Sequence, residues 1–81
     1  MLVSVLVFST VREALGRERL EVELQEGNSG ADLLDYLSEQ YAYVRDNRSY
    51  LRLARNLEYV PESCVLDEGD EIAVIAPICG G

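Results

Sequence analysis

Residues 2–9 read Leu-Val-Ser-Val-Leu-Val-Phe-Ser, a run that is apolar and rich in β-branched side chains at nearly every position. A strand made from it presents apolar groups to both faces of its sheet, which suits a strand in the interior of that sheet. Ile72-Ala73-Val74-Ile75-Ala76 repeats the pattern near the other end of the chain. The first and last strands are therefore expected side by side at the centre of the sheet.

The segments between them are more polar and carry clearer local signals. Thr10 to Gly16 forms a short connector, one helical turn that Gly16 can close. Leu20-Glu21-Val22-Glu23-Leu24 alternates apolar and acidic, the pattern of a half-exposed antiparallel strand. Gly27-Asn28-Ser29-Gly30 breaks the chain and offers Asn28 or Ser29 as a helix N-cap, with Asp32 in the first turn where the helix dipole favours negative charge.

From Ala31, apolar residues at Leu33, Leu34, Leu37, Tyr41 and Val44 predict one amphipathic helix to about Tyr41, the only long helix of the chain. Residues 50–55 and 58–60 are short strands around Asn56-Leu57, where Asn56 tolerates a left-handed backbone. Residues 66–71 form a turn in which Gly69 supplies a positive φ. The expected class is α+β, a mixed sheet of four to five strands with one main covering helix.

One helix covers one face of a sheet. Leu2, Leu6 and Phe8 point opposite to Val3, Val5 and Val7, so the second face is apolar as well. Either that face meets a partner, or the segment 42–66 folds across it.

Composition removes much enzyme chemistry. The chain has 81 residues, 15 acidic against 7 basic, a formal charge of −8 and no His. Without imidazole there is no Ser-His or Cys-His dyad and no mixed Cys/His zinc site, and no metal centre is expected. All seven basic residues are Arg, and there is no Lys. So acidic a chain repels nucleic acid. Acidic side chains collect after residue 57, whereas Arg45, Arg48, Arg52 and Arg55 form a basic island that pairs either with the chain's own acidic strands or with a partner.

Cys64 and Cys79 lie 15 positions apart with no basic leader ahead of the first strand. That strand is too short to span a bilayer. A reduced, cytosolic protein without a membrane segment is expected, Cys64 being a small core residue. The five tyrosines read as half-buried packing groups, and Arg12, Arg17 and Arg19 as partners of Glu13, Glu18 and Glu21.

The sequence closes on Pro77-Ile78-Cys79-Gly80-Gly81. Pro77 ends ladder pairing, and five residues at ~3.3–3.6 Å each extend roughly 17 Å from the sheet. A Gly-Gly end is entropically poor as structure but suits a backbone that threads a channel too narrow for side chains. The expected division is a folded domain over 1–76 and a flexible tail over 77–81.

This order of elements, with Phe8-Ser9-Thr10-Val11-Arg12-Glu13-Ala14-Leu15-Gly16, Ala54-Arg55-Asn56, the Asp67–Glu71 turn and the segment 72–81, resembles the ubiquitin-like β-grasp family. Within it, the chain is most similar to the small, sulfur-carrying subunits of molybdopterin synthase. Ala76 departs from the second Pro usual there, and Cys79 from the more frequent Ser, Ala or Thr. The resemblance implies a ubiquitin-like β-grasp fold and a reactive Gly81.

By that resemblance, a partner adenylyltransferase, similar to ubiquitin-activating enzymes, uses ATP to make a Gly81 adenylate. Persulfide sulfur then displaces AMP to give a Gly81 thiocarboxylate. Inside the large synthase subunit this sulfur passes to a cyclic pterin phosphate precursor. Gly80 and Cys79 thread the tail, and Ile78 and Pro77 position it; from their place beside the final strand, rather than from the resemblance, Asp67, Glu68, Asp70 and Glu71 are expected to steer docking. No cofactor is bound permanently; the sulfur is carried covalently. The alternatives are a thiazole-synthesis sulfur carrier, with the same fold and Gly-Gly end, and a ubiquitin-like modifier conjugated through Gly81. Lacking Lys, the chain cannot form lysine-linked chains of itself.

Overall fold

The computed structural model describes residues 1–77. The elements run β1 (Leu2–Val7), α1 (Ser9–Leu15), β2 (Arg19–Glu23), α2 (Gly30–Gln40), α3 (Ala42–Asn47), a 3-10 turn at Arg48–Tyr50, β3 (Arg52–Arg55), β4 (Glu58–Val60) and β5 (Glu71–Ile75). The strands form one sheet in the order β2-β1-β5-β3-β4. The two apolar strands β1 and β5 are parallel neighbours at its centre, with Val5 opposite Ile72 and Val7 opposite Val74. β2 pairs antiparallel with β1 on one side, and β3 with β5 on the other. This is the ubiquitin-like β-grasp topology.

Alternation along the strands sorts the side chains. Val3, Val5, Val7, Leu20, Val22, Leu53, Ile72 and Val74 are buried on one face. Against them pack Leu33, Leu34 and Leu37 of α2, Val44 of α3, Val11 and Leu15 of α1, and Leu51 and Leu66 from the connections. Each fully buried aliphatic side chain contributes roughly 1.5–3 kcal/mol relative to exposure. No buried side-chain polar atom among the described residues lacks a hydrogen-bond partner.

Local chemistry sets the element ends. Ser29 caps α2 in a capping box: its hydroxyl accepts from Asp32 N–H at 3.4 Å, and the Asp32 carboxylate accepts from Ser29 N–H at 2.8 Å. Gly16 closes α1 in the left-handed region at φ 73°, its N–H donating to Arg12 O at 2.8 Å. Gly69, at φ 83°, donates to Leu2 O and ties the turn before β5 to the start of β1.

Three expectations are corrected. The connector after β1 is a helix of seven residues rather than a single turn. Residues 42–50 are helical, and Val44 and Leu51 join the core on the helical side, so this segment does not fold over the second face of the sheet. Cys64 is half-buried in the loop after β4 rather than in the core, because its Sγ accepts from Arg55 Nη2 at 3.0 Å.

Candidate functional site

With every helix on one side, the opposite sheet face stays open, and its apolar half forms a groove of about 610 Å³. The groove is lined by Leu6 and Phe8 from β1 and its exit, Ala73 and Ile75 from β5, and Ala54, Leu57 and Tyr59 from the β3–β4 hairpin. Glu71 and Asn56 close its far rim. The period-2 alternation that buries Val5, Val7, Ile72, Val74 and Leu53 turns these neighbours outward.

Two of the most exposed apolar residues sit beside strained backbone. Asn56 and Leu57 both adopt positive φ, 54° and 69°, the conformation of a type I′ hairpin turn that ordinarily takes Asn-Gly. Leu57 is fully exposed there, at 101%. Phe8 is 50% exposed and precedes Ser9, which has φ 47°. A Leu held left-handed costs roughly 1–2 kcal/mol and gains no burial among the described residues, which points to a surface kept for something else.

The other half of the open face is a polar plate. Arg19 Nε meets Glu21 at 3.1 Å, Arg19 Nη2 meets Glu71 at 3.1 Å, and Ser4 Oγ donates to Glu21 at 2.9 Å. The Arg19 guanidinium, and after it the Ser4 hydroxyl, hold the Glu21 carboxyl below its ordinary range. Such a face suits binding: apolar area to be covered, edged by charges already paired.

The acidic turn does not act as one unit. Asp70 faces inward: its Oδ2 accepts from Arg55 Nη1 at 2.9 Å and from Asp67 N–H at 2.8 Å. Glu68 is exposed and accepts from Leu2 N–H at 3.0 Å, and Asp67 is exposed beside it. Of the four residues expected to steer docking, Glu71 alone lines the groove. The turn also lies at the opposite end of β5 from the tail, a strand length of roughly 13 Å away.

Much of the basic island is committed internally. Arg48 bridges Asp35 on α2 and Glu62 after β4, and Arg55 holds Asp70. Arg45 pairs with its neighbour Asp46. Arg12 reaches Glu18, and Arg19 reaches Glu21 and Glu71. Of the tyrosines, Tyr41 and Tyr43 pack against the core, whereas Tyr36, Tyr50 and Tyr59 are exposed. Tyr59, expected as a packing residue, is instead part of the groove.

Pro77, half-buried, is the last described residue and follows Ile75 at the groove's end. Ile78, Cys79, Gly80 and Gly81 lie outside the described residues. Among the described residues no group of three or more His, Cys, Asp or Glu is placed to hold a metal ion, and no helix is long and apolar enough to cross a membrane.

Comparison with known proteins agrees with this architecture. Residues 5–81 match the ThiS family. The molybdopterin synthase sulfur carrier subunit of Mycobacterium tuberculosis is 41% identical over 80 residues, covering 98% of this chain and 96% of that one. A Pyrococcus furiosus structure described as subunit 1 of a molybdopterin converting factor superposes with a TM-score of 0.85 at 26% identity, over 96% of this chain and 99% of that one. A chain from the complex of subunits 1 and 2 of the Helicobacter pylori molybdopterin-converting factor shares the fold, with a TM-score of 0.69 at 21% identity and full coverage of both.

Proposed function

The chain belongs to the ThiS family, and on that premise we propose that it is the sulfur carrier subunit of a molybdopterin synthase. The observation that carries the proposal is the open groove, whose lining strand β5 runs directly into Pro77 and the Gly-Gly end. A partner that covers the groove thereby receives the tail. Near end-to-end identity of 41% with a carrier of that name selects this reading within the family.

The chemistry is confined to Gly81. A free carboxylate is a poor acyl donor because its leaving group is oxide. Attack of the Gly81 carboxylate on the α-phosphorus of ATP, in an adenylyltransferase, forms the acyl adenylate and releases pyrophosphate. A persulfide then attacks the acyl carbon and expels AMP. Cleavage of its S–S bond by a thiol leaves the thiocarboxylate and a disulfide. In the large subunit this soft sulfur nucleophile bonds to a carbon of the cyclic pterin phosphate precursor, displacing an oxygen substituent and forming a thioester, and water cleaves the acyl–sulfur bond to leave sulfur on the pterin and restore the carboxylate.

The folded body has no imidazole and no phosphate-binding Lys to offer these steps, having neither His nor Lys. Its part is to present the tail. Gly80 and Cys79 thread, Ile78 and Pro77 aim, and residues 77–81 act as the extended arm of the domain at 1–76. The H. pylori structure holds subunits 1 and 2 together, which supports a large subunit as the partner of this chain. ATP is then the adenylyltransferase's substrate rather than a resident group, and the cytosol is the compartment of the cycle.

A carrier for thiazole synthesis would also fit the family match. The two separate on reconstitution with the molybdopterin synthase large subunit and the pterin precursor. The thiocarboxylate form of this chain forms the dithiolene product there, and a form with one residue appended after Gly81 does not. Equal product from both forms, or none from either, contradicts the proposal.

A further inference from the structure

Arg52 stands apart from most of the cations. Among the described residues Arg12, Arg19, Arg45, Arg48 and Arg55 each reach a carboxylate. Arg52 reaches only backbone oxygen: its Nη1 donates to the carbonyls of Ser49 at 3.2 Å and Leu51 at 3.0 Å. Its Nε and Nη2 have no partner among the described residues. Those two atoms share one edge of the planar guanidinium, the edge from which a carboxylate accepts two parallel hydrogen bonds.

Its position gives this edge a use. Arg52 is the register partner of Ile75, the last residue of β5 before Ala76 and Pro77. On β3 it alternates with core-facing Leu53, so it shares the open face with Ala54 and with the groove. The groove thus has a cation with an unpaired edge at the end where the tail departs and, at the other, Glu71 already paired with Arg19 and the acidic turn behind it. Arg17 also lacks a carboxylate partner among the described residues, but it lies in the α1–β2 connection, outside the groove lining.

We infer that Arg52 is a specificity-determining contact: the adenylyltransferase that takes the tail presents an Asp or Glu carboxylate beside the mouth of its channel, where Arg52 meets it. The inference rests on the sulfur-carrier reading and names a partner group for it. With a charge of −8 the whole molecule draws a basic surface from a distance. A lone carboxylate on that surface finds one attractive site at the tail end. Docked in the reverse direction it would meet Glu71, whose carboxylate already pairs with Arg19, and would find no unpaired guanidinium edge there. Broad acidity accelerates encounter, while the unpaired edge of Arg52, at one end of the groove only, fixes which way the groove is covered and sends the tail into the channel rather than away from it.

Steady-state adenylation by the adenylyltransferase, measured as ATP–pyrophosphate exchange at varied carrier concentration, tests this with wild type, R52E, R52Q and R52K. Exposed strand residues without a carboxylate partner tolerate replacement, and equal thermal midpoints verify the fold; R52Q serves if R52E does not fold. R52E is expected to raise KM by about tenfold or more with kcat within about twofold. R52Q is expected to raise KM by roughly two- to fivefold, the range of an exposed ion pair. R52K recovers part of the affinity, because Lys keeps the charge but loses the two-bond edge. A folded R52E or R52Q with the KM of wild type overturns the inference while leaving the carrier function intact. Failure of wild type itself to be adenylated removes the sulfur-carrier reading, and the inference with it.

Discussion

Arg55 on β3 and Asp70 in the turn before β5 form the most buried side-chain ion pair among the described residues, Nη1 to Oδ2 at 2.9 Å, with side chains 26% and 19% exposed. The same carboxylate oxygen accepts the Asp67 N–H, and Arg55 also reaches Val65 O and Cys64 Sγ. One pair therefore fixes the loop after β4 against the sheet. Asp70 is committed to the fold, whereas Asp67, Glu68 and Glu71 are exposed.

Asp70→Ala should lower stability by about 1.5–3 kcal/mol, the cost of removing a charged hydrogen-bond partner and leaving Arg55 half-buried without it. Asp67→Ala and Glu68→Ala, which remove exposed carboxylates, should shift stability by no more than about 0.5 kcal/mol. Urea unfolding followed by circular dichroism separates the two outcomes.

The type I′ turn predicts a substitution that improves the fold and harms the function. Leu57→Gly relieves a left-handed Leu and creates the Asn-Gly sequence that the turn prefers, for a gain of about 1 kcal/mol. It also removes the most exposed apolar side chain of the groove. Thermal unfolding should show a higher midpoint, and calorimetric titration with the large subunit a weaker affinity.

Acid should weaken the protein through Asp32 and Glu21. Hydrogen bonds from the Ser29 backbone and then its side chain hold the Asp32 carboxyl below 3.8, and Arg19 followed by Ser4 holds Glu21 below 4.5. Both groups bind fewer protons folded than unfolded. Their contribution is therefore complete above those ordinary values and is lost as pH falls through the lower folded-state values. The midpoint of unfolding should fall steadily below about pH 4.5, and Asp32→Asn should flatten that slope while lowering the plateau at neutral pH.

Helix α2 also depends on its cap. Ser29→Ala removes the hydroxyl that accepts from Asp32 N–H and should cost about 1 kcal/mol, read from the shift in the urea midpoint at unchanged slope.

The sheet was legible because its strands carry unequal patterns. Apolar runs at 2–9 and 72–76 marked the central pair, and alternation at 20–24 marked a half-exposed antiparallel strand. The apolar character of the second face was legible too, from Leu6 and Phe8 pointing opposite to Val5 and Val7, but not whether the segment 42–66 covers it. What covers the core beyond α2 was only partly legible: Val44 continued the helical period past the expected helix end, but Leu51 is a single apolar residue after the polar stretch 45–49, without a period to place it. Leu57 and Tyr59 escaped as groove residues for a related reason: a side chain left exposed at an energetic cost looks, in sequence, like any other turn or packing residue. The fate of Asp70 against Asp67 depended on Arg55, which is distant along the chain and adjacent only once β3 lies beside β5.

The central claim is that sulfur is carried on Gly81, and intact-mass spectrometry after incubation with ATP, the adenylyltransferase and a persulfide donor tests it most directly. The account predicts a mass increase equal to exchange of one oxygen for sulfur, confined by fragmentation to the terminal glycine and abolished by an appended residue. An unchanged mass, or sulfur found on Cys64 or Cys79 instead of Gly81, would contradict it.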